Sequence, residues 1–477
     1  MSQKTIFISA DHGLAVIYFL QSDVLPTLIN GGARVVLLTD DALVEQINAR
    51  FGRAGLIVEG LRLDAARRYL DTHSPSWQYW LHLLRAEGAS NRINTEALRC
   101  HIEQVDYEAS GKRRWFMILF KAMIALMRRS KAARDWVYRQ QLRFSPDLYG
   151  DLFDQYRPDL VVAATPGWRL DRYLLRQAAA RGVKTAAGIV GWDNPSSYCL
   201  SGAPLDYATC WSELQKEELV LGSDWDPARI NVAGIPSYDG YFKREWLLPR
   251  ADYFKLHGLD PSRKLLGYAA SFITFSPNLQ NIEALARLVS EEGALTQPSQ
   301  LLVRLHPNHF MDNPLFAGER ERIFDLARRN PHVHVVEPVP LGGKLGHYSG
   351  EDMPEKTSMM AYSDVFLTVY STMVVEAAVH DRPIVAVCID APGGWNTPGR
   401  YSLALSRIGE WPTHQRFRAA EAGRVAYTED ELREAVNLYL EDPQADAEAR
   451  HQFIRDELTF TDASAGRRTG EYLLSVL

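Results

Sequence analysis

Short apolar runs alternate with helix-length segments along most of the chain, and the first such unit lies at its start. An apolar run at 6–10 is followed by a helical pattern at 14–29, which Gly31-Gly32 ends, and by a second apolar run at 34–38. These runs are apolar throughout instead of alternating with polar residues, which is typical of parallel strands covered by helices on both faces. The pattern predicts a βαβ unit.

The same alternation returns later in the chain. Further strands are predicted at 160–164, 185–190, 207–211, 230–233, 265–270, 300–305, 332–336, 364–369 and 384–389, with helical segments between most of them. This order predicts an α/β fold of two tandem, doubly wound Rossmann-like domains at 1–245 and 246–445, with a helical tail at 446–477. Because such sheets bind ligands at the carboxyl ends of their strands, we expect a cleft where these ends face each other.

One long segment, at about 64–149, carries no strand pattern and is rich in Arg, Trp, Leu and Ala. It is interpreted as a helical insertion in the N-terminal domain. Within it, basic residues at 112–114 precede the apolar run 115–120, and further basic residues follow at 128–131. Two interpretations stay open for the helix at 112–131: it lies on an anionic membrane surface, or it is buried in the insertion's own core.

Composition narrows the class of protein. The 477 residues carry a formal net charge of −6, so the protein has no overall positive charge that would favour binding to nucleic acid. The four cysteines lack zinc-ligand spacing and are expected to be reduced, mostly buried thiols. We predict no metal site and no cofactor. Neither a signal-peptide core nor a membrane-spanning apolar run of about 18 residues is found, which predicts a cytoplasmic location, at the inner face of the membrane if 112–131 contacts lipid.

The segment 363–377 carries the most informative candidate site. A buried strand runs into Ser371 and Thr372, either of which can cap the following helix and leave its N–H groups directed at a diphosphate. Glu376 lies about one turn inside that helix, where its carboxylate could accept hydrogen bonds from a ribose diol. The alternative is an ordinary capped helix that carries a surface glutamate.

A second candidate follows the strand predicted at 300–305. Arg304 and His306 stand at its carboxyl end, where either could neutralise phosphate charge, and Pro307 ends the strand. A histidine at a strand end that has only a structural role is the alternative.

Two loops of the N-terminal half supply acceptor-side candidates. Asp11 or His12, after the first strand, could take a proton from an acceptor hydroxyl, and Gly13 would let a substrate approach the backbone. Trp192 and Asn194 offer a sugar a stacking ring and a polar group. The alternatives are a turn with an aspartate cap at the first loop and a packed tryptophan beside an Asn-Pro turn at the second.

Several of these segments, in this order, resemble the GT-B glycosyltransferase superfamily. The motifs are Val232-Ala233-Gly234-Ile235-Pro236-Ser237-Tyr238-Asp239, Tyr268-Ala269-Ala270-Ser271, Arg304-Leu305-His306-Pro307, the segment 363–376 and Asp462-Ala463-Ser464. The resemblance is clearest at 230–389. It is nearest to the branch that contains the CDP-glycerol glycerophosphotransferases and related surface-polysaccharide transferases.

The resemblance implies a donor site in the C-terminal domain. Phosphates would be bound by His306, Ser371 and Thr372, with Ser271 nearby and Glu376 at the ribose. The glycerophosphotransferase pattern reads Asp-Tyr-Ser-Ser where this chain has Val369-Tyr370-Ser371-Thr372. Glu376 instead resembles the sugar-nucleotide members of the superfamily, which include the non-hydrolysing UDP-sugar 2-epimerases.

The expected activity is therefore metal-independent, inverting transfer of a sugar from a nucleotide-sugar donor, with Asp11 or His12 as the base. The acceptor would be a surface glycan or a lipid-linked molecule. A CDP-alditol phosphotransferase, a 2-epimerase and a non-catalytic sugar-nucleotide binder remain as alternatives.

Overall fold

The structure is a computed structural model, and it describes residues 3–271, 278–310, 314–339, 342, 349–390, 401 and 403–477. The chain divides into two compact units. Unit 1 consists of Met1–Asp239, Leu341–Ser349 and Leu458–Leu477, and unit 2 consists of Gly240–Pro340 and Gly350–Glu457. The division after Asp239 lies a few residues before the boundary predicted at 245.

Each unit is built on one parallel sheet. The strands of unit 1 are β1 (Thr5–Ser9), β2 (Arg34–Thr39), β3 (Leu56–Gly60), β4 (Leu160–Ala163), β5 (Lys184–Gly188), β6 (Tyr207–Cys210) and β7 (Ile230–Val232). Those of unit 2 are β8 (Lys264–Ala269), β9 (Ser299–Arg304), β10 (Val333–Val336), β11 (Val365–Thr368), β12 (Ile384–Val387) and β13 (Arg424–Ala426). Their orders are β3-β2-β1-β4-β5-β6-β7 and β10-β9-β8-β11-β12-β13.

Both orders reverse direction beside the first strand of the sheet, as in doubly wound folds. The reversal lies between β1 and β4 in unit 1, where Ser9 pairs with Ala163. In unit 2 it lies between β8 and β11, where Ala269 pairs with Thr368. The chain leaves these two strand ends in opposite directions, which opens a crevice at the edge of each sheet.

The helices complete the α/β pattern. Those of unit 1 are α1 (Gly13–Leu20), α2 (Val24–Asn30), α3 (Val44–Phe51), α4 (Leu63–Thr72), α5 (Pro75–Glu87), α6 (Glu96–Glu108), α7 (Lys112–Arg129), α8 (Lys131–Gln141), α9 (Gly150–Tyr156), α10 (Arg172–Ala180), α11 (Asn194–Ser197) and α12 (Glu213–Ser223). They are followed by α13 (Asp239–Lys243), α14 (Arg250–Leu256), α15 (Asn278–Ser290), α16 (Pro314–Arg329), α17 (Met353–Tyr362), α18 (Met373–Val379), α19 (Leu405–Ile408), α20 (Pro412–Ala419), α21 (Glu429–Glu441), α22 (Ala447–Leu458) and α23 (Ala465–Ser475).

Local polar contacts explain where the structure departs from the predicted elements. The single helix predicted at 14–29 is broken into α1 and α2. Ser22 Oγ donates to the carbonyl of Tyr18 at 2.5 Å and accepts the N–H of Val24 at 3.2 Å, so the side chain takes over backbone partners at the break. Strand β3 was not predicted because four of its five residues are only half-buried and Glu59 interrupts its apolar run.

The C-terminal segment also differs from the separate helical tail predicted at 446–477. Its last part, Leu458–Leu477, belongs to unit 1, whereas most of α22 belongs to unit 2. The carboxylate of Asp239 accepts the N–H groups of Ala465 at 3.0 Å and Gly466 at 2.8 Å. Because a helix leaves its first N–H groups without internal partners, this carboxylate anchors the start of α23 to unit 1.

The segment at about 64–149 is helical, as expected, through α4 to α8. Its helices share an apolar core that includes Leu81, Leu84, Met117, Phe120 and Met127. All four cysteines are buried and unbridged. Among the described residues, no single helix has the length and apolar character needed to cross a membrane. Only when α1 and α2 are taken together, with a bend of 46° between them, are that length and apolar character reached.

Candidate functional sites

The switch point of unit 1 brings together residues that follow β1 and β4. Asp11 is 1% exposed, and its two carboxylate oxygens have different partners. Oδ1 accepts from His12 Nδ1 at 2.6 Å, and Oδ2 accepts from Arg169 Nε at 3.1 Å. A carboxylate only accepts, so the proton of neutral His12 lies on Nδ1 and its lone pair on Nε2. Asp11 and His12 therefore form a carboxylate–imidazole dyad.

The electrostatics of this dyad extend to a second carboxyl group. Burial alone would raise the pKa of Asp11, but His12 and Arg169 together lower it below its ordinary value. The opposite holds for Asp171, because burial and the negative charge of Asp11 raise its pKa to about 7. Asp171 accepts from Thr165 Oγ1 at 2.7 Å and from the N–H of Arg169 at 3.2 Å. Neighbouring carboxyls whose pKa values are pushed apart are typical of functional sites.

A cavity of about 750 Å³ lies beside Asp11, within unit 1. Its walls come from α4, α5, the start of α7 and the loop after β4. The charged and aromatic residues that line it include Asp11, Arg67, Asp71, Tyr79, Trp80, Arg113, Trp168, Arg169 and Arg172. The helical insertion thus builds most of a ligand-sized pocket at the switch point. Apart from Asp11, these residues were not predicted from the sequence, although the aromatic residues of Trp77-Gln78-Tyr79-Trp80 were a signal for them.

The other acceptor-side candidates lie elsewhere, and none of them lines this cavity. Trp192 is 1% exposed, so its ring is packed instead of presenting a face to a sugar. Asn194 Oδ1 accepts the N–H of Gly191 at 2.7 Å and closes the turn. Gly13 is the buried first residue of α1. For Trp192 and Asn194 the structure corresponds to the packed-turn interpretation.

The switch point of unit 2 gathers Ser271 after β8 and Ser371 and Thr372 after β11. The N–H of Ser271 donates to Asn278 Oδ1 at 2.8 Å, and Asn278 Nδ2 donates to the carbonyl of Ser271 at 3.1 Å. Ser371 Oγ accepts the N–H of Met373 at 3.3 Å, whereas the Thr372 side chain makes no cap hydrogen bond. Ser371 is therefore the residue of this pair that caps α18.

Glu376 is not a surface glutamate. It is 6% exposed, and its Oε2 accepts from Tyr241 Oη at 2.5 Å and pairs with Lys356 Nζ at 2.5 Å. All three residues belong to unit 2. A ribose diol would therefore meet a carboxylate that is already held in one orientation by two donors.

Arg304 already has partners within unit 2. Its guanidinium is 8% exposed and forms ion pairs with Asp352 at 2.5 Å and with Glu355. Two carboxylates therefore compensate its charge, and its assignment to a phosphate stays a prediction. His306 is held differently, because its Nδ1 accepts the N–H of Asn308 at 3.1 Å. The proton of neutral His306 therefore lies on Nε2.

Comparisons with known proteins identify the fold. No protein-family model matches the chain, and no curated protein matches its sequence. Solved structures do match over nearly the whole chain. A UDP-GlcNAc 2-epimerase from Neisseria meningitidis, bound to UDP-GlcNAc, aligns with a TM-score of 0.53 and 12% identity, covering 99% of this chain and 100% of that one.

Two further structures agree. MnaA from S. aureus, solved with UDP, aligns with a TM-score of 0.54 and 12% identity, covering 100% of this chain and 98% of that one. A glycosyltransferase from Rickettsia africae aligns with a TM-score of 0.50 and 10% identity, with coverage of 100% and 98%. The chain has a GT-B fold. The finer resemblance to CDP-glycerol glycerophosphotransferases stays a prediction.

In this GT-B fold the insertion helix α7 has two apolar faces. Met117, Phe120 and Met127 are buried in the insertion, at no more than 2% exposure. On the other side, Trp115 is 79% and Ile118 66% exposed, with Leu119 at 59%. The interpretation of a fully buried helix therefore accounts for only one face.

Within the described part of the GT-B chain, no group of three or more His, Cys, Asp or Glu side chains could hold a metal ion.

Proposed function

We propose that the protein is a nucleotide-sugar-dependent glycosyltransferase, with the donor bound at the switch point of unit 2 and the acceptor in the cavity of unit 1. The cavity of about 750 Å³ that is lined by Asp11, the carboxylate partner of His12, carries this proposal. It lies in the range of small-molecule sites, and it supplies room for a second substrate. A transferase needs that second site, whereas an isomerase acts on a single molecule.

On the donor side, the proposal assigns the diphosphate to Ser371 and Thr372 at the start of α18 and to His306. Ser271 lies after the neighbouring strand, and Glu376 is assigned to the ribose. These groups would carry the negative charge of the leaving diphosphate without a metal ion. Support for a nucleotide comes from the two structurally similar proteins solved with UDP and with UDP-GlcNAc.

On the acceptor side, His12 acts as the base and Asp11 positions it. The lowered pKa of Asp11 makes that carboxylate a poor proton acceptor at neutral pH, but a good partner for the imidazolium that forms. The acceptor oxygen attacks the anomeric carbon of the donor and gives its proton to His12 Nε2. The bond from that carbon to the diphosphate breaks, and the nucleoside diphosphate leaves with the electron pair. One such displacement inverts the anomeric centre.

A 2-epimerase is the second candidate, because the similar structure from Neisseria meningitidis carries that name. The assay that separates the candidates follows donor consumption for a panel of UDP-, GDP-, TDP- and CDP-sugars, with and without a pool of surface glycans and lipid-linked saccharides. Acceptor-dependent release of nucleoside diphosphate supports the transferase. Formation of the 2-epimer of the donor without acceptor would show that the protein is an isomerase and not a transferase. Release of CMP from a CDP-alditol would indicate a phosphotransferase.

The same assay tests the base. His12→Ala should lower kcat by roughly 10²–10⁴-fold, the range for loss of a general base. His73→Gln is the matched control, because His73 is exposed and its ring contacts only its own helix end, where it stacks on Tyr69 and its Nδ1 lies 2.9 Å from Thr72 Oγ1. Unchanged turnover in both His12→Ala and Asp11→Asn would refute the assignment of the dyad.

We also propose that α7 contacts an anionic lipid surface, which would hold the enzyme at the inner face of the membrane. Trp115, Ile118 and Leu119 supply an exposed apolar face, and the basic residues at 112–114 precede it on the same helix. Each basic residue near such a surface contributes about 1 kcal/mol. Flotation with anionic vesicles should recover the protein at low salt, and Ile118→Ser with Leu119→Ser should abolish recovery. If neutral vesicles recover as much protein as anionic ones, the basic residues do not contribute to binding. If neither kind of vesicle recovers the protein, α7 does not contact lipid.

A further inference from the structure

The cavity of unit 1 is lined by more positive charge than its own residues neutralise. Four arginines and two aspartates contribute to its lining. Arg169 is paired with Asp11. Within the described part of the chain, Arg67, Arg113 and Arg172 form no ion pair with any carboxylate. Arginines that form no ion pair and share one concave surface favour an anionic ligand.

The contacts of these arginines leave donors available. Arg172 Nη1 donates to the carbonyl of Arg169 at 2.8 Å, which fixes its position without cancelling its charge. The guanidinium of Arg113 lies 5.5 Å from the ring centroid of Tyr79. That contact orients Arg113 and leaves its planar N–H groups for a ligand. Arg67 makes no side-chain hydrogen bond to any described residue.

Aromatic rings stand beside this charge. Tyr79 is 40% exposed, and Trp80 is half-buried against Phe116 with ring centroids 4.4 Å apart. Both line the same cavity. An exposed aromatic face offers stacking to the apolar face of a sugar ring, while the arginines bind a charged substituent. The combination selects a saccharide that carries an anion.

We infer that this cavity binds an acceptor saccharide bearing a phosphate or diphosphate group, recognised by Arg67, Arg113 and Arg172 beside Tyr79. The inference rests on the proposed function, in which unit 1 holds the acceptor. A phosphate fits the site better than a carboxylate. It carries up to two negative charges and several acceptor oxygens, which more than one arginine can share, whereas a single arginine already matches a carboxylate.

Titration calorimetry on the full chain tests the inference. The probes are a hexose 1-phosphate, the same hexose without phosphate, and the corresponding uronic acid. The hexose 1-phosphate should bind at least about tenfold more tightly than either of the other two, as expected for charge-assisted hydrogen bonds. Equal binding of the hexose, or equal binding of the uronic acid, overturns the choice of phosphate, and so does a failure of the phosphorylated probe to bind at millimolar concentration.

The chain offers matched control variants. Arg67→Gln and Arg113→Gln should each weaken hexose 1-phosphate binding by about tenfold and leave hexose binding unchanged. Arg68→Gln and Arg114→Gln change the adjacent exposed arginines, which do not line the cavity, and should stay within about twofold of the wild type. Equal losses in the control variants overturn the inference. A loss of UDP binding in Arg67→Gln or Arg113→Gln overturns it as well, because the cavity would then bind the donor.

The source of the phosphate is a separate arm of the experiment. The same sugar phosphate, carried on a polyprenyl chain in neutral phosphatidylcholine vesicles, is compared with the soluble probe. Tighter binding of the vesicle-borne molecule indicates a lipid-linked acceptor, and equal binding indicates a soluble one; both require the arginines. If the phosphate-dependent binding is found but no nucleotide sugar is consumed in the presence of the acceptor, the proposed transferase is refuted. The inferred class of ligand for the cavity would still hold.

Discussion

Arg304 stabilises unit 2, and Arg304→Gln is the sharpest perturbation of that role. Its guanidinium and its partners Asp352 and Glu355 are all largely buried, at 8%, 12% and 13% side-chain exposure. Removing the cation leaves two buried carboxylates without a charged partner at neutral pH. His257 Nε2 lies 3.7 Å from Glu355, but burial lowers the pKa of His257 to about 4 and keeps it neutral. Breaking a buried ion pair in this way costs about 3–5 kcal/mol, so the free energy of unfolding of unit 2 should fall by that amount.

Hydrogen exchange measured peptide by peptide gives this result separately for each unit. Amides of β8 and β9 should exchange faster in Arg304→Gln, while those of β1 and β2 in unit 1 should not change. Arg433→Gln is the control, because Arg433 lies in unit 2 and its ion pair with Asp430, at 2.9 Å, joins two exposed side chains. Unchanged exchange at β8 and β9, together with loss of nucleotide binding, would refute the internal role and restore Arg304 as a phosphate ligand.

Three further results are expected. Lys356→Met should destabilise unit 2 by roughly 3 kcal/mol, and by much less in a Glu376→Gln background; a double-mutant cycle in urea that gives no coupling would contradict the buried pair. Because the pKa of Asp171 is raised to about 7, the wild type should lose stability as pH rises from about 4 to about 7, by up to about 1.4 kcal/mol per pH unit, relative to Asp171→Asn, and parallel denaturation curves for the two would contradict this. The four buried cysteines should react with a thiol reagent only after unfolding, and rapid labelling of the native protein would argue against their burial.

Much of the fold could be predicted from local patterns. Continuous apolar runs marked most of the buried parallel strands, and the alternation of strands and helices led to two doubly wound sheets. The exceptions, β3 and β13, lie at sheet edges and carry mostly half-buried or exposed residues. Edge strands lack the burial on both faces that makes a central strand visible in sequence.

The part of the candidate sites that could be predicted was the set of residues that directly follow a strand. Asp11 and His12 meet at a switch point because both follow β1, and Ser371 caps α18 because it follows β11. The partners of Arg304 and Glu376 come from distant parts of the chain, such as Tyr241, 135 residues from Glu376. No local pattern indicates such pairings, so the internal partners of these two side chains could not be predicted from the sequence.

The residues that line the cavity of unit 1 could not be predicted from local sequence patterns either. The insertion was predicted to be helical, but the direction in which its helices pack on the sheet depends on tertiary contacts. Only the structure places Arg67, Tyr79 and Arg113 around the cavity that reaches Asp11.

Product analysis by ³¹P and ¹H NMR, with one nucleotide sugar and a hexose 1-phosphate as acceptor, tests the proposed sugar transfer most directly. We expect release of nucleoside diphosphate and a new glycosidic anomeric signal of inverted configuration, both only when the phosphorylated acceptor is present. Conversion of the nucleotide sugar to its 2-epimer without any acceptor, with the phosphorylated sugar left unchanged, would contradict it.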